Sequence, residues 1–492
     1  MGLRRQNMLM YHAKSHFSMV DKNSKTPLHT QVKEYIFDLI KRQTGTSAMI
    51  PPENELCGKF GISRGTVRTA IMDLVKEGYL ERVAGKGTFI KKHHQALSFA
   101  TWLSQEKATA GIIERIENMF SVKKMGCRIQ DIKMPYLEME RRLIVAAARG
   151  EAPDIASLIY LWTPILAYYD ALLPLDDLYT YEIMNKLFPS TVAPLAYRDH
   201  IYGFNWSNAP NILYYNKRLL TELFGSGNFE AETYDDLSDN FIRIHEKSRG
   251  SVIPFSIPIL DDEIFFLYNL FNFFYAFGGG LLNDDDEVIF NSEANIKAFK
   301  WLKNTIDSGK INIVNNFVAN RELFAQGKMA FIIEGPWLLK QIESYNPEIK
   351  ADPGLIGYCV LPKGPAGKSV SILWNHTLSV FRQCSDKELA LEFVKFLATD
   401  KDVNEMYYRQ AGMIPVLKDE LYGNSLYDDS FGRVLKAQME HALPIRPGKP
   451  DSFMMAITIC AKASREILLG DADAAATLNN HASILREIYR TA

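Results

Sequence analysis

The sequence predicts an α/β chain in two parts. A small basic domain of three helices closed by a β-hairpin comes first, followed by a much larger acidic body in which strands and helices alternate. Three observations carry this. The chain has 492 residues, too many for one core, because single domains typically hold roughly 100–200. Residues 1–94 contain 16 Lys and Arg against 8 Asp and Glu, and residues 95–492 contain 40 against 50, so a head of +8 precedes a body of −10. After "KKHHQALSF" the pattern changes to apolar β-type runs separated by long helical ones, an α/β rhythm. The charge division predicts that an anionic partner meets the head alone.

In the head, Leu28, Val32, Ile36 and Ile40 recur every four residues, which makes one apolar face of a first helix. Gly45, Pro51 and Pro52 mark the loop that follows. Leu56 and Phe60 belong to a short second helix, and Gly61 makes the turn. Ser63 can cap a third helix by offering its hydroxyl to free backbone N–H groups. Val67, Ile71 and Leu74 face inward on that helix, while Arg64 and Arg68 share the outward face with Thr66 near them. Such an N-terminal turn suits the DNA major groove, where an arginine donates two hydrogen bonds to guanine. After Gly78, "YLERV" and "TFI" read as a hairpin joined by Ala84-Gly85-Lys86-Gly87, a small tip able to approach a backbone or narrow groove.

The run from Pro27 to Ile90 includes P-x-E-x-E-L-x-x-x-F-G-I-S-R-x-T-V-R-x-A-I and E-G-Y-L-x-R-x-x-G-K-G-T-F-I. It resembles the GntR-type winged helix. The resemblance implies that Ser63, Arg64, Thr66 and Arg68 contact operator DNA, with Lys86 and Gly87 at the wing. Pro52 and Asn54 depart from the family pattern, which often has Ser or Ala before the first Glu and Arg after it.

In the body, "LIVAAARGEAPDIASL", "LLPLDDL", "IYGFNWSNAPNILYYNKRLL", "ELFAQGKMAFIIEGPWLLKQI", "IGYCVLPKGPAGK", "ALEFVKFLATD" and "RQAGMIPVLKDEL" follow one another in order. Together they resemble family 1 extracellular solute-binding proteins of the maltodextrin-receptor type over about residues 99–492. The resemblance implies a two-lobed periplasmic-binding-protein-like (type 2) fold with hinge strands, Tyr214, Tyr215 and Asn216 falling on one of them. It also implies a cleft that holds a solute. Sugars present apolar C–H faces and hydroxyl edges, so rings cover the face and a few polar groups fix the orientation. The expected ligand contacts are Trp337, Trp206, Glu334, Trp374, Asn205, Asn375, Trp162 and Trp102.

The expected divisions are an N-terminal extension over 1–23, a winged-helix DNA-binding domain over 24–92, a linker over 93–98 and the two-lobed domain over 99–492. The expected function is a cytosolic one-component transcription regulator. It would act as a homodimer on palindromic operator half-sites and respond to a mono- or oligosaccharide. Two alternatives stand beside it. One is a receptor for an ABC-type importer, which would call for an export signal. The N-terminal run lacks the 7–15 apolar residues of such a signal. The other is a pyridoxal-phosphate aminotransferase-like regulator, whose lysine motif, a Ser-x-x-Lys followed by a Leu-Arg-x-Gly run, is absent.

No catalytic residue, cofactor or metal is expected. No phosphate-binding glycine loop is present, and His12, His16, His93 and His94 lack the carboxylate and cysteine company of a metal site. "NDDDE" at 283–287 lacks the ligand spacing of a calcium loop and reads as a solvated turn. The five cysteines are odd in number and far apart, which suggests core thiols in a reducing compartment. "FFLYNLFNFFYAFGGG", broken by Asn269 and Asn272, reads as a buried helix, and no membrane span is expected.

Overall fold

The computed structural model describes residues 20–22, 24, 26–42, 49–76, 79–90, 96–124 and 127–491. The expected extension up to residue 18, Gly45, Gly78, His93 and His94 lie outside the described residues. The chain divides into two compact units, residues 1–96 with 117–128, and residues 97–116 with 129–492. The sequence did not anticipate that 117–128 would group with the head.

In the first unit, helices α1 (Leu28–Arg42), α2 (Glu53–Phe60) and α3 (Arg64–Lys76) precede the antiparallel strands β1 (Leu80–Val83) and β2 (Gly87–Ile90). Val32, Ile36 and Ile40 of α1 are buried with Leu56, Val67, Ile71 and Leu74 in one core. Each such side chain contributes about 1.5–3 kcal/mol on burial. Gly61 ends α2 in the left-handed conformation (φ 60°), its N–H bonded to Cys57 O, a backbone state that glycine adopts without steric cost.

The two largest sheets of the second unit have five and three strands. In the first, strands β3 (Ala96–Thr101), β4 (Arg128–Lys133), β5 (Ile155–Ile159), β6 (Phe204–Ser207) and β10 (His376–Val380) lie in the order β4-β3-β5-β10-β6. β3 runs parallel to β5, and β10 antiparallel to both its neighbours. In the second, β7 (Ile212–Asn216) lies between β8 (Phe331–Glu334) and β9 (Ile356–Cys359), antiparallel to each. β3 begins at Ala96, inside the interval read as a linker, because Leu97, Phe99 and Ala100 are core residues.

Only residues 208–211 separate β6 from β7, so the chain passes from one sheet to the other within four residues. Two more segments meet it there. Asn208 N–H donates to Ile414 O (2.8 Å), Trp374 N–H to Ala209 O (2.9 Å) and Asn211 N–H to Ile372 O (3.0 Å). Buried asparagine side chains tie the same segments together. Asn208 Nδ2 donates to Pro415 O (3.0 Å) and Asn375 Nδ2 to Asn208 Oδ1 (3.1 Å). The crossing is therefore 208–211. Tyr214, Tyr215 and Asn216, expected on a hinge strand, lie on β7, which leaves this crossing and forms the middle strand of the second sheet.

The aromatic run folds as the helix Glu263–Ala276, with eleven of its fourteen residues buried, the all-round burial of a core helix. No helix among the described residues is long and apolar enough to cross a membrane. At 283–287, Asn283 Oδ1 accepts from the N–H groups of Asp285 and Glu287, and Arg446 pairs with Asp284 (2.8 Å) and Asp286 (2.9 Å).

Candidate functional site

The head presents an open groove, about 500 Å³, between the start of α2, helix α3 and the hairpin. Ser63 Oγ accepts the N–H of Thr66 (3.1 Å) and lies 2.8 Å from the Thr66 hydroxyl, so the predicted cap is formed. This fixes the first turn of α3, from which Arg64 and Arg68 project to solvent. Both line the groove with Gly87, while Lys86 is exposed at the hairpin turn. Gly87 has φ +122°, and a Cβ there would lie 2.8 Å from Met49 Sδ, so the close, flexible tip depends on glycine.

Sequence reading missed two groove residues, Glu53 and Arg82. Glu53 pairs with Arg82 on β1 and with Arg64 (3.4 Å), linking the hairpin to α3, and Asn54 lines the same groove. An acidic residue opening a helix gave no signal beyond a favourable dipole.

In the body, a cavity of about 120 Å³ gathers side chains from both sheets' surroundings. Trp102 follows β3, Tyr136 follows β4, Trp374 and His376 sit at the start of β10, and Tyr407 comes from the helix Lys401–Ala411. From the other side come Phe265 and Tyr268 of the helix Glu263–Ala276 and Phe317 and Arg321 of the helix Phe317–Ala325. Glu334 ends β8, and Trp337 follows it. Three of these, Trp102, Tyr136 and Glu334, lie at or just past the carboxyl ends of their strands, where open α/β sheets place ligands.

Ring contacts hold the wall. Trp102 packs edge-on against Tyr136 (4.8 Å) and His376 (4.6 Å), and Trp374 against Tyr268 (4.7 Å). Trp374 Nε1–H donates to Tyr136 Oη (3.0 Å). The Trp337 ring folds back over Gly335, where a Cβ would sit 2.3 Å from it, so only glycine permits this placement. Trp337 Nε1–H is buried with no hydrogen-bond partner among the described residues. A buried orphan donor costs about 1–3 kcal/mol, and a ligand oxygen would satisfy it.

The polar side of the cavity is a network. Arg321 Nε donates to Glu334 Oε2 (2.9 Å) and Arg321 Nη1 to Gln341 Oε1. Glu334 Oε1 accepts from Tyr268 Oη (3.1 Å) and from Gly335 N–H (3.1 Å). Gln341 Nε2 donates to Glu106 Oε2 (3.4 Å). Burial pulls the Arg321 guanidinium down, but Glu334, Tyr268 and Glu106 together more than offset it, so it is held above its usual range. Burial raises the Glu106 carboxyl, with Arg321 and Gln341 opposing. His376 is pushed down to about 3 by burial, so its imidazole is neutral and uses Nδ1 to meet Tyr407 Oη (3.2 Å).

Of the eight expected ligand contacts, Trp102, Glu334, Trp337 and Trp374 line this cavity. The other four lie outside it. Trp206 is 1% exposed and packs against Tyr407 (4.7 Å) and Phe99 (6.3 Å). Asn205 is buried in the same strand, donating to Thr191 O (2.6 Å). Asn375 is taken up by the crossing, and Trp162 is buried at the start of the helix Trp162–Tyr168, behind Tyr136. All four residues of β6 are buried, so its Trp and Asn belong to the core.

Residues 28–90 match the description "Bacterial regulatory proteins, gntR family" and residues 115–426 match "Bacterial extracellular solute-binding protein". Neither family is one of enzymes. The chain is 54% identical over 74 residues to the uncharacterized HTH-type transcriptional regulator YurK of Bacillus subtilis, covering 15% of this chain and 31% of that one. It is 22% identical over 321 residues to the maltotriose-binding protein of Pyrococcus abyssi, covering 63% and 65%. The chain thus spans under a third of the first relative's length and about two thirds of the second's. Among solved structures, the GacH receptor of Streptomyces glaucescens, whose complex with acarbose is known, superposes with a TM-score of 0.69 at 20% identity, over 80% of this chain and 98% of that one. With 115–426 spanning more than half its length, the chain belongs to the bacterial extracellular solute-binding protein family, here fused behind a gntR-family winged-helix domain.

Proposed function

We propose that the chain is a one-component transcription regulator that reads operator DNA with its winged helix and senses a carbohydrate between its two lobes. The observation that carries this is the presence, on one chain, of solvent-facing arginines on a capped α3 and a cavity lined by three tryptophans. A regulator must reach DNA, so it works in the cytosol. Two winged helices in a homodimer meet palindromic half-sites about one helical turn apart. Arg64, Arg68 and Thr66 read bases, while Ser63 sets the helix start and Lys86 and Gly87 meet the backbone or minor groove. Trp102, Trp337 and Trp374 cover sugar faces, and Glu334 orients hydroxyls. The maltotriose and acarbose named for the relatives support the carbohydrate class.

A ligand shifts DNA affinity only through its differential affinity for two shapes of the protein. A coupling of about 1–3 kcal/mol corresponds to about 5–150-fold. The test selects duplexes from a random pool with the full chain and then titrates maltose, maltotriose and glucose while DNA affinity is read by fluorescence anisotropy. The expected result is sequence-specific binding that one saccharide changes at least about fivefold. Binding that is equal for all duplexes, or that no saccharide alters, would count against the reading.

A further inference from the structure

The charges lining the cavity carry the reading further. Among the described lining residues there are one cation, Arg321, and two carboxylates, Glu106 and Glu334. Arg321 is already engaged by Glu334 through Nε and by Gln341 through Nη1, and its guanidinium also rests on the Phe317 ring, 4.6 Å from the centroid. Glu334 is fully satisfied by Arg321, Tyr268 and Gly335. Glu106 has one long hydrogen bond, from Gln341, and no ion pair among the described residues, although the Arg321 charge acts on it. The next cation, Lys107, lines an adjoining cavity of about 350 Å³ that shares Glu106, Phe317, Arg321 and Gln341 with this one. The backbone N–H after Glu334 is bonded back to Glu334 itself.

An entering phosphate monoester brings nearly two negative charges. Here it would meet a surplus carboxylate, aromatic walls and an arginine already paired. Burying a charge without a partner is costly, and low dielectric strengthens the repulsion from Glu106. Uncharged hydroxyls meet none of this. They find the orphan Trp337 Nε1–H as donor and the Glu106 carboxyl as acceptor.

We propose that the effector is an unphosphorylated carbohydrate and that Glu106 is the residue that rejects its phosphorylated form. The inference rests on the carbohydrate reading above. It also fixes a place in a reaction sequence: the sensor reads its sugar before any kinase acts, so sugar phosphorylation removes the signal.

The experiment titrates the full chain by calorimetry with matched pairs: glucose and glucose 6-phosphate, N-acetylglucosamine and its 6-phosphate, maltose and maltose 6′-phosphate. The expected result is that the uncharged member of at least one pair binds and its phosphate binds at least tenfold more weakly. A phosphate that binds as tightly as its parent, or more tightly, overturns the inference and leaves the carbohydrate reading standing. If no member of any pair binds, the carbohydrate reading falls and this inference with it. In Glu106→Gln the ratio between the members should narrow severalfold. An unchanged ratio in a folded variant would remove Glu106 from the role, and the wild-type ratio decides the phosphate question whether or not the variant folds.

Discussion

The indole of Trp337 lies nearly parallel to the imidazole of His376, 18° between planes and 6.0 Å between centroids. Trp337 follows β8 of the second sheet and His376 opens β10 of the first. The two lobes therefore touch through a pair of flat rings beside the cavity, where a saccharide face would compete for the same contact.

Replacing Trp337 by Ala should remove that wall and the unpaired indole N–H together. The expected outcome is at least a tenfold loss of saccharide affinity by calorimetry, with operator affinity in the absence of sugar unchanged. A sugar response equal to that of wild type would show that Trp337 is not part of the site.

Arg321 and Glu334 form a pair whose side chains are only 11% and 5% exposed. Removing one partner of a buried pair costs about 3–5 kcal/mol because the other charge stays buried. Glu334→Gln should lower the urea midpoint of the body's unfolding by a matching amount while the head's transition stays in place.

His376 titrates near 3 when folded because it is buried, and near 6.5 when unfolded. The unfolded chain therefore binds the extra proton between those values. Stability is fully present above pH 6.5 and falls by about 1.4 kcal/mol per pH unit below it, down to about pH 3. Chemical denaturation at pH 7, 6 and 5 should show this slope, and His376→Phe should flatten it.

Arg64→Ala should weaken binding to the selected operator by about 1–3 kcal/mol and relax preference at one base. Anisotropy with single-base variants of the duplex measures both, and calorimetry should find saccharide affinity unaltered. Loss of affinity that is uniform across all sequences would assign Arg64 to the phosphate backbone instead.

The head was readable because its signals are local: a four-residue apolar repeat, a serine cap and a glycine turn each act within one helix. The cavity was half readable. Trp102, Glu334, Trp337 and Trp374 sit at strand ends or beside them, where side chains leave the core, whereas Trp206 and Asn205 sit within a strand buried on both faces. His376 carried an overlooked signal: period-2 alternation puts it on the side of Trp374 and sends Asn375 to the other. Phe317 and Arg321 are four apart on one helix face, a pairing visible in sequence. That this face meets Glu334 depends on a contact between the helix and β8 that no local spacing encodes. Tyr136 and Glu106 likewise enter only through tertiary packing.

The crossing between the two sheets is fastened by Asn208, Asn375 and backbone amides, with no ion pair among these contacts. Neutral fastenings are nearly indifferent to dissolved electrolyte, whereas protein–DNA affinity falls steeply with it as counterions are released. Raising sodium chloride from 50 to 200 mM should therefore erode the hold on a duplex by orders of magnitude while leaving saccharide affinity almost untouched. Brine would thus silence the proposed duplex binding while the proposed saccharide binding is watched alone.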